Sequence, residues 1–320
     1  MHQCTRVNCF VPDTGCDLGH SDLSKCPAWL ERAEKDTAEV EPADEALLPW
    51  SGSALGLADL GFLAGRARPI IIGVAGSQNA GKTTLLGAWY LLLGRGVINL
   101  EGRQFAGSYS LAGWEAVAGS LRWNPGQPPT FPPHTTSRAG RAPGLLHLSF
   151  RDTQQAKELD YLFTDAPGEW FQKWAVNRDS PEGVGARWKS DRADVLIIVA
   201  DREALSGENM GSARGSLQLL ARRIAAERRG RPVALVWTKS DVEIAPEMER
   251  AVRGAVRDGM PDVAEFSVSI VSDGAATGGT GVGLLDLLAW LLKILRPCVE
   301  LPPSPATRND PLFLYGARSS

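Results

Sequence analysis

Short apolar runs and longer helix-forming stretches alternate along the chain from residue 69 onwards. A continuous apolar run bounded by turn residues is typical of a strand buried in a parallel sheet. Such runs predict strands at residues 70–75, 145–151, 159–164, 195–200, 233–238 and 266–271. The predicted helices cover residues 82–93, 211–229, 246–257 and 283–295. This alternation predicts an α/β fold, with a mostly parallel central sheet and flanking helices.

Three parts of the chain depart from this pattern. Only a short polar segment separates residues 145–151 from 159–164, which makes these two strands candidates for an antiparallel hairpin. Residues 94–142 are rich in Gly, Pro and Trp and show little periodicity, which predicts a long loop. Acidic residues 31–45 indicate a short helix or a solvated linker, and apolar residues 46–65 are expected to pack on the domain that follows.

The composition narrows the class of protein. Of 320 residues, 43% are hydrophobic and 22% are charged, which supports a folded core and excludes a wholly disordered chain. A net charge of -3 argues against a general nucleic-acid binder. The most apolar stretch, 282–299, contains Asp286, Lys293 and Arg296 and is too short to span a membrane. The N-terminus does not resemble a signal peptide, so we expect a cytoplasmic protein without a membrane span.

The strongest motif follows the first predicted strand, where Gly76, Gly81, Lys82 and Thr83 match the spacing of a P-loop. Glycines let backbone N–H groups curl around phosphate oxygens, and the start of the next helix adds favourable dipole charge. Lys82 would reach the β and γ phosphates, and the Thr83 hydroxyl would hold Mg²⁺. The predicted nucleotide-binding residues of this loop are Gly76, Ser77, Gln78, Asn79, Ala80, Gly81, Lys82, Thr83 and Thr84.

Two shorter motifs stand at the ends of later strands, which is where ligands bind in open α/β sheets. In D-A-P-G, Asp165 is a candidate Mg²⁺ ligand through water, and the Gly168 N–H is a candidate donor to a γ-phosphate. In T-K-S-D, which begins at Thr238, the Asp241 carboxylate can accept hydrogen bonds from N1–H and the N2 amino group of guanine. The Lys239 stem can lie over the base. Adenine lacks that pair of donors, so T-K-S-D predicts a preference for guanine.

In their order and spacing, these motifs resemble those of P-loop GTPases of the translation-factor-related class, which includes Ras-like and Era-like proteins. The resemblance covers about residues 69–297. It implies GTP or GDP with Mg²⁺ as ligands, and a mostly parallel sheet with one antiparallel edge strand. We therefore expect a Cys-rich zinc-binding module at 1–30, a linker and bridging segment at 31–68, a GTPase domain at 69–298 and a flexible tail at 299–320.

The resemblance also implies two looser contacts. A switch I threonine is expected to bind Mg²⁺ and the γ-phosphate, with Thr136 as the first candidate and Thr135 as the second. A serine loop after the last strand is expected to touch the base, with Ser272 as the first candidate and Ser269 as the alternative. For both positions, an ordinary loop role remains the competing interpretation.

The predicted catalytic residues are Lys82, Thr136, Gly168 and Glu169. Many family members carry Gln directly after D-x-x-G to orient the attacking water, whereas this chain has Glu169, whose charge would repel the γ-phosphate. Slow hydrolysis or the use of another residue is therefore expected, and a surface role for Glu169 stays open. Asn79 matches an Asn with which Era-like GTPases help to hold K⁺, the alternative being a turn-favouring residue. Arg138 and Arg141 are candidate arginine fingers.

The N-terminal segment carries five soft metal ligands in a short stretch: Cys4, Cys9, Cys16, His20 and Cys26. Structural zinc needs four ligands arranged tetrahedrally, and clustered cysteines in a chain without an export signal favour metal over disulfides. The four cysteines are preferred, with His20 as the competing ligand and free or redox thiols as the alternative. Because only Arg6 and Lys25 are basic in this segment, nucleic-acid binding is not favoured.

Apolar surfaces and a narrower resemblance indicate a protein partner. Trp170, Phe171 and Trp174 follow D-A-P-G directly and are expected to contact an effector, whereas helix 283–295 is expected in the core or at an interface. The Cys/His segment, the bridging segment and the single GTPase domain also resemble double-GTPase proteins of bacterial conflict systems. That resemblance implies an effector or a second GTPase on another chain, with a homodimer as a further option.

The function predicted from the sequence is therefore hydrolysis of GTP to GDP and phosphate with Mg²⁺, as part of a nucleotide-dependent switch. One alternative is an ATP-preferring P-loop NTPase or nucleotide kinase in which T-K-S-D arose by chance. The other is a non-hydrolysing, G-like adaptor protein, and Glu169 keeps that alternative open.

Overall fold

The computed structural model describes residues 18, 22, 25–26, 54–57, 59–65, 67–96, 102–122, 130–131, 144–154, 157–270 and 281–294. The chain divides into two compact units, Met1–Leu47 and Leu48–Ser320, and the elements named here belong to the second. Its strands are β1 (Ile70–Ala75), β2 (Arg103–Gly107), β3 (Gly144–Asp152), β4 (Lys157–Asp165), β5 (Val195–Asp201), β6 (Val233–Thr238) and β7 (Ala264–Ser267). Its helices are α1 (Leu60–Ala64), α2 (Lys82–Gly94), α3 (Leu111–Ala118), α4 (Gly168–Val176), α5 (Val184–Arg192), α6 (Arg202–Ser206), α7 (Met210–Glu227), α8 (Pro246–Gly259) and α9 (Leu284–Lys293).

The strands form one seven-stranded sheet in the order β2-β3-β4-β1-β5-β6-β7. Strands β4, β1, β5, β6 and β7 are parallel, while β3 is antiparallel to both of its neighbours. The predicted hairpin is confirmed, because β3 and β4 pair antiparallel along their whole length. The antiparallel strand is expected at the edge of the sheet, and this position is wrong. The antiparallel strand is β3, and β2 pairs with its outer side and forms the edge.

The central strands are apolar throughout because helices cover both faces of the sheet. All six residues of β1 are buried. Ile71 and Ala75 pack with α4, α5, α7 and α8, whereas Ile72 and Val74 pack with α2, α3 and α9 on the opposite face. Consecutive residues of a strand point to opposite faces, so a continuous apolar run is what a sheet between two helical layers requires.

Helix α2, which begins directly after the loop at residues 76–81, packs against the sheet and α9. Leu85, Leu86, Trp89 and Leu92 are buried along it. The Trp89 indole N–H donates to the Leu284 carbonyl at 2.9 Å, which ties α2 to the start of α9. This packing gives the loop ahead of α2 a rigid support.

The prediction of a long loop over 94–142 is partly wrong, because this range contains β2 and α3. Three of the five residues of β2 are exposed, so the strand lacks an alternating apolar pattern, and its pairing with β3 defines it. Helix α3 buries Trp114, whose indole N–H donates to the His147 carbonyl at 2.8 Å. Helices α4, α5 and α6 likewise lie in stretches where no element is predicted.

Most other predicted elements are confirmed within one to three residues at each end, but the last strand ends at Ser267 instead of residue 271. The expected packing of the bridging segment is seen at Leu55 and Leu63, which are buried; Leu55 also pairs with Leu145 of β3. Helix α9 buries five leucines in the core. Among the helices that the structure describes, none has the length and hydrophobicity needed to cross a membrane.

Candidate functional site

The carboxyl ends of β1, β4 and β6 bring the three sequence motifs together around one cavity of about 480 Å³. The predicted site residues that line this cavity are Gln78, Asn79, Ala80, Gly81, Lys82, Thr83, Thr84, Gly168, Glu169, Thr238, Lys239 and Asp241. Gly76, Ser77 and Asp165 are predicted site residues that stand beside the lining without forming part of it. The sheet therefore unites segments that are far apart in sequence.

Two residues with left-handed backbone shape the loop between β1 and α2, which we call the phosphate loop (residues 76–81). Asn79 has a φ of 60° and Gly81 a φ of 81°. Asn tolerates this conformation and Gly adopts it without steric cost. Gly81 is also the N-cap of α2, so the positive end of the helix dipole faces the cavity. An anion is the ligand that such an arrangement favours.

Lys82 places a buried ammonium group under the phosphate loop. Its Nζ donates to the carbonyls of Ser77 at 2.6 Å and Gly76 at 3.2 Å, and only 7% of the residue is exposed. Burial lowers the pKa of Lys82 to about 8, although the nearby Asp165 carboxylate acts to raise it. A cation held in so little water interacts strongly with an incoming anion.

Two oxygen-bearing side chains stand side by side: Thr83 at the start of α2 and Asp165 at the end of β4. The Thr83 hydroxyl donates to the Asp165 carboxylate, at 3.1 Å from Oδ1 and 3.3 Å from Oδ2. Hydroxyl and carboxylate oxygens are the donors that a hard divalent cation such as Mg²⁺ prefers. The donor set therefore fits Mg²⁺ if phosphate and water oxygens complete the coordination.

The start of α4 lies against the phosphate loop. A Cβ on Gly168 would overlap the backbone of Ser77 and Gln78, so only glycine permits this approach. Glu169 follows in the first turn of α4, is exposed, and lines the cavity. The two predicted catalytic residues of D-A-P-G-E therefore face the same space as Lys82.

At the end of β6, Thr238 and Lys239 connect the cavity to neighbouring segments. The Thr238 hydroxyl lies 2.9 Å from the Ala80 carbonyl of the phosphate loop. Lys239 has a φ of 53°, and its Nζ donates to Asp201 Oδ2 at 2.9 Å and Glu203 Oε2 at 2.7 Å. Burial acts to lower the pKa of Lys239, but the hydrogen bonds to these two carboxylates raise it overall.

Asp241 also lines the cavity, and the segment after β7 holds its carboxylate. The Ser269 hydroxyl donates to Asp241 Oδ1 at 2.5 Å, and Ser269 also lines the cavity. Apolar lining beside this pair comes from Val242, Val268 and Ile270. A carboxylate bordered by apolar side chains suits a flat, aromatic group that carries hydrogen-bond donors.

A second buried lysine, Lys189, lies near the end of β1 and belongs to none of the three sequence motifs. Lys189 of α5 is fully buried; its Nζ donates to the Val74 carbonyl at 2.5 Å and lies 4.5 Å from the centre of the Phe171 ring. Burial lowers the pKa of Lys189 well below its ordinary value, an effect that Asp165 opposes and Lys82 reinforces. Lys189 thus joins α5 to the end of β1 and to α4.

Lys189, Asp201 and Glu203 are missing from the predicted site for different reasons. Lys189 stands in a stretch with several charged residues, which looks like an ordinary solvated helix, so the sequence offers no sign of its burial. Asp201 ends β5 at the same edge of the sheet as the motifs, and that position is a usable sign. Glu203 is recognised only from its contact with Lys239.

The structure corrects one expectation about partner contact. Trp170, Phe171 and Trp174 are buried in the core between α4 and the sheet, so they are not free to meet an effector. Their apolar character is explained by packing.

Several predicted residues lie outside the described residues: Thr135, Thr136, Arg138, Arg141, Ser272, Cys4, Cys9, Cys16 and His20. Of the predicted zinc ligands, only Cys26 is described, and it is buried. Within the described ranges, no three His, Cys, Asp or Glu side chains come together as a metal site. The zinc prediction therefore stays a prediction.

Comparison with known protein families gives one finding. The family model described as Double-GTPase 2 matches residues 70–291, which span the sheet, the phosphate loop and the helices around them. A search of curated proteins finds no match to the chain.

Proposed function

The chain belongs to the double-GTPase 2 family, and from this premise we propose that it binds GTP and GDP in the cavity and hydrolyses GTP. The observation that carries the proposal is the convergence of three motif ends on one cavity. A loop suited to phosphate, an oxygen pair suited to Mg²⁺ and a fixed carboxylate beside apolar side chains all face the same space. These three features suit the phosphates, the metal ion and the base of a bound nucleoside triphosphate.

Asp241 supports guanine as the base. Its Oδ1 is held by Ser269, so the carboxylate keeps a fixed orientation toward the cavity. A carboxylate has no hydrogen to donate, and it pairs with the two neighbouring N–H donors of guanine. Adenine offers an acceptor at the corresponding ring nitrogen, and that nitrogen would repel the carboxylate. A site built to hydrogen-bond the donors of a substrate rejects an analogue that lacks them, so this carboxylate favours guanine over adenine.

For the reaction, we propose in-line attack of water on the γ-phosphorus. The new P–O bond forms as the bond from phosphorus to the β–γ bridging oxygen breaks, which releases GDP and inorganic phosphate. Lys82 would stabilise the charge on the β and γ phosphates, and the Gly168 N–H would donate to a γ-phosphate oxygen. Thr83 and Asp165 would hold Mg²⁺, which supplies further neutralisation of phosphate charge when bound.

Competitive binding tests the base assignment. GTP, GDP and ATP should be titrated with Mg²⁺ against the wild-type protein, Asp241→Asn, and the matched control Asp258→Asn, which alters an exposed Asp on α8. We expect guanine nucleotides to bind about 100-fold more tightly than ATP, a preference that only Asp241→Asn removes. Equal or tighter ATP binding would overturn the guanine assignment, and no nucleotide binding at all would overturn the proposed function itself.

A second candidate function rests on Glu169. This carboxylate lines the cavity beside Gly168, where its charge would oppose a γ-phosphate, so a GTP-binding adaptor with little turnover is the competing proposal. Single-turnover hydrolysis separates the two. We expect slow turnover in the wild type and faster turnover in Glu169→Gln. GTP binding without detectable hydrolysis in either protein would support the adaptor.

We propose a zinc module and a protein partner as the remaining parts of this function. Metal analysis of the purified protein should find close to one zinc ion per chain, and a variant with Cys9→Ser and Cys16→Ser should lose it. The same zinc content in this variant would contradict the ligand assignment. An effector or second GTPase that binds only the GTP form would support a switch, including one in a bacterial conflict system.

A further inference from the structure

An acidic pair outside the three sequence motifs holds the lysine of T-K-S-D. Lys239 Nζ donates to Asp201 Oδ2 at 2.9 Å and to Glu203 Oε2 at 2.7 Å. Asp201 ends β5 and Glu203 stands in the first turn of α6, whereas Lys239 follows β6. Strands β5 and β6 are hydrogen-bonded neighbours, which is why these residues meet at one edge of the sheet.

The two carboxylates differ in how firmly they are held. The Asp201 side chain is 5% exposed, and its Oδ1 accepts from the backbone N–H groups of Glu203 at 3.0 Å and Ala204 at 3.4 Å. Asp201 therefore caps α6 with one oxygen and binds Lys239 with the other. The Glu203 side chain is 69% exposed and lines the nucleotide cavity together with Lys239. One partner is a rigid anchor and the other stands at the mouth of the cavity.

Stability does not account for the contact that Glu203 makes. Exposed ion pairs contribute little to folding, so the contact between Glu203 and Lys239 is not needed to hold the sheet. Two carboxylates against one ammonium also leave excess negative charge beside a loop suited to phosphate, which by itself disfavours a polyphosphate ligand. The electrostatic cost of this arrangement is explained if the two carboxylates position Lys239 in the wall of the cavity.

The backbone of Lys239 gives a second reason for a specific role. Its φ of 53° lies in the left-handed region, which a non-glycine residue occupies at an energetic cost. The hydroxyl of the preceding residue, Thr238, lies 2.9 Å from the Ala80 carbonyl of the phosphate loop, and the N–H of the following residue, Ser240, donates to the Val268 carbonyl at 3.1 Å. The segment is therefore fixed on both sides of the lysine. Lys239 therefore lines the cavity while its ammonium is anchored on Asp201 and Glu203.

We propose that Asp201 and Glu203 are positioning residues that clamp Lys239 as a wall for the base of a bound guanine nucleotide, and so determine nucleotide affinity. The inference rests on the proposed nucleotide-binding function. Because the wall contacts the base, the clamp acts on GTP and GDP alike, and the chemical step itself does not depend on it.

The test measures GTP and GDP affinity by competition with a fluorescent guanine nucleotide, for Asp201→Asn, Glu203→Gln and the control Glu208→Gln. Asn is also a good N-cap, so Asp201→Asn keeps the cap of α6 while removing the charge. We expect affinity to fall about tenfold or more in Asp201→Asn and about two- to fivefold in Glu203→Gln, equally for both nucleotides. The control should match the wild type in nucleotide affinity and in single-turnover hydrolysis of saturating GTP.

A double-mutant cycle with Lys239→Met separates the clamp from plain electrostatics. If Asp201 acts through Lys239, adding Asp201→Asn to Lys239→Met causes no further loss of affinity. The opposite interpretation, in which the carboxylates simply repel phosphate, predicts tighter binding in Glu203→Gln, more so for GTP than for GDP; that result would overturn the clamp. Independent, additive losses would overturn it as well. If the wild-type protein binds no guanine nucleotide, the proposed function itself fails. If it binds guanine nucleotides but Asp201 and Lys239 show no coupling, only the clamp fails.

Discussion

Replacing Lys82 with methionine is expected to stabilise the protein in the absence of nucleotide while abolishing phosphate binding. Only 7% of Lys82 is exposed, and its ammonium donates to two backbone carbonyls instead of pairing directly with a carboxylate. Methionine has a similar length and no charge to desolvate, so it keeps the packing and removes the electrostatic cost.

The magnitude follows from the pKa of Lys82, which burial lowers from 10.5 to about 8. A shift of this size corresponds to about 3 kcal/mol of unfavourable free energy for the protonated form in the folded state. Loss of the hydrogen bonds to Gly76 and Ser77 offsets about 1 kcal/mol or more of that gain. We therefore expect Lys82→Met to raise the free energy of unfolding by about 1–2 kcal/mol at pH 7.

The pH dependence has a definite sign. Because the folded-state pKa of Lys82 is depressed, the wild type carries no penalty above the unfolded value of 10.5. The penalty grows as pH falls from 10.5 and is fully present below about 8. Between pH 7 and about 9.5, the wild type should gain about 2 kcal/mol relative to the variant. The stability gap between the two proteins should therefore shrink or reverse as pH rises.

Equilibrium urea unfolding at several pH values, without nucleotide or added Mg²⁺, measures this gap, and equal m-values would show that the same surface unfolds. Lys157→Met, at an exposed lysine that begins β4, is the control and should show no such pH dependence. A variant that is less stable than the wild type at pH 7, or a gap that does not change with pH, would refute the assignment of a desolvated ammonium to Lys82.

Three other substitutions probe the support of the cavity. Gly168→Ala should weaken nucleotide binding about tenfold or more, because the added Cβ overlaps the phosphate-loop backbone; unchanged affinity in a fluorescence titration would contradict that close approach. Phe171→Ala should lower the free energy of unfolding by about 3–5 kcal/mol in urea, whereas Gln172→Ala, at an exposed neighbour, should have little effect; similar losses in both would contradict a core role for the aromatic ring. Thr238→Val removes the hydroxyl that contacts the Ala80 carbonyl and should cost about 1–2 kcal/mol of stability by the same assay, with a neutral result counting against this contact.

The central strands and the motifs at their ends were predictable because their physical requirements are local. A strand covered on both faces must be apolar along its buried length. In the sequence, β1 is apolar throughout, and β5 and β6 are apolar up to their last residues, Asp201 and Thr238. The P-loop, D-A-P-G and T-K-S-D motifs need particular residues at fixed spacing, so they are recognisable without the fold. The sequence also predicted that these motifs lie close together, because the carboxyl ends of parallel strands share one edge of the sheet.

Elements that depend on their neighbours escaped prediction. The edge strand β2 is mostly exposed and exists through its pairing with β3, so it has no apolar pattern of its own. The aromatic residues of α4 suggested a partner surface, but the sheet and the adjacent helices bury them. A sequence reports which side chains are apolar, whereas the fold decides whether a partner or the core covers them.

The sequence by itself determined the α/β class and the order of the central elements, and it indicated the phosphate and guanine contacts that we propose for the cavity. Only the tertiary structure decided which polar residues support that chemistry. Lys189 is buried because α5 packs over the end of β1, and Lys239 meets Asp201 and Glu203 because β5 and β6 are adjacent in the sheet. These contacts join residues 36 to 115 positions apart, and electrostatic interactions over such separations have no local pattern from which a sequence could reveal them.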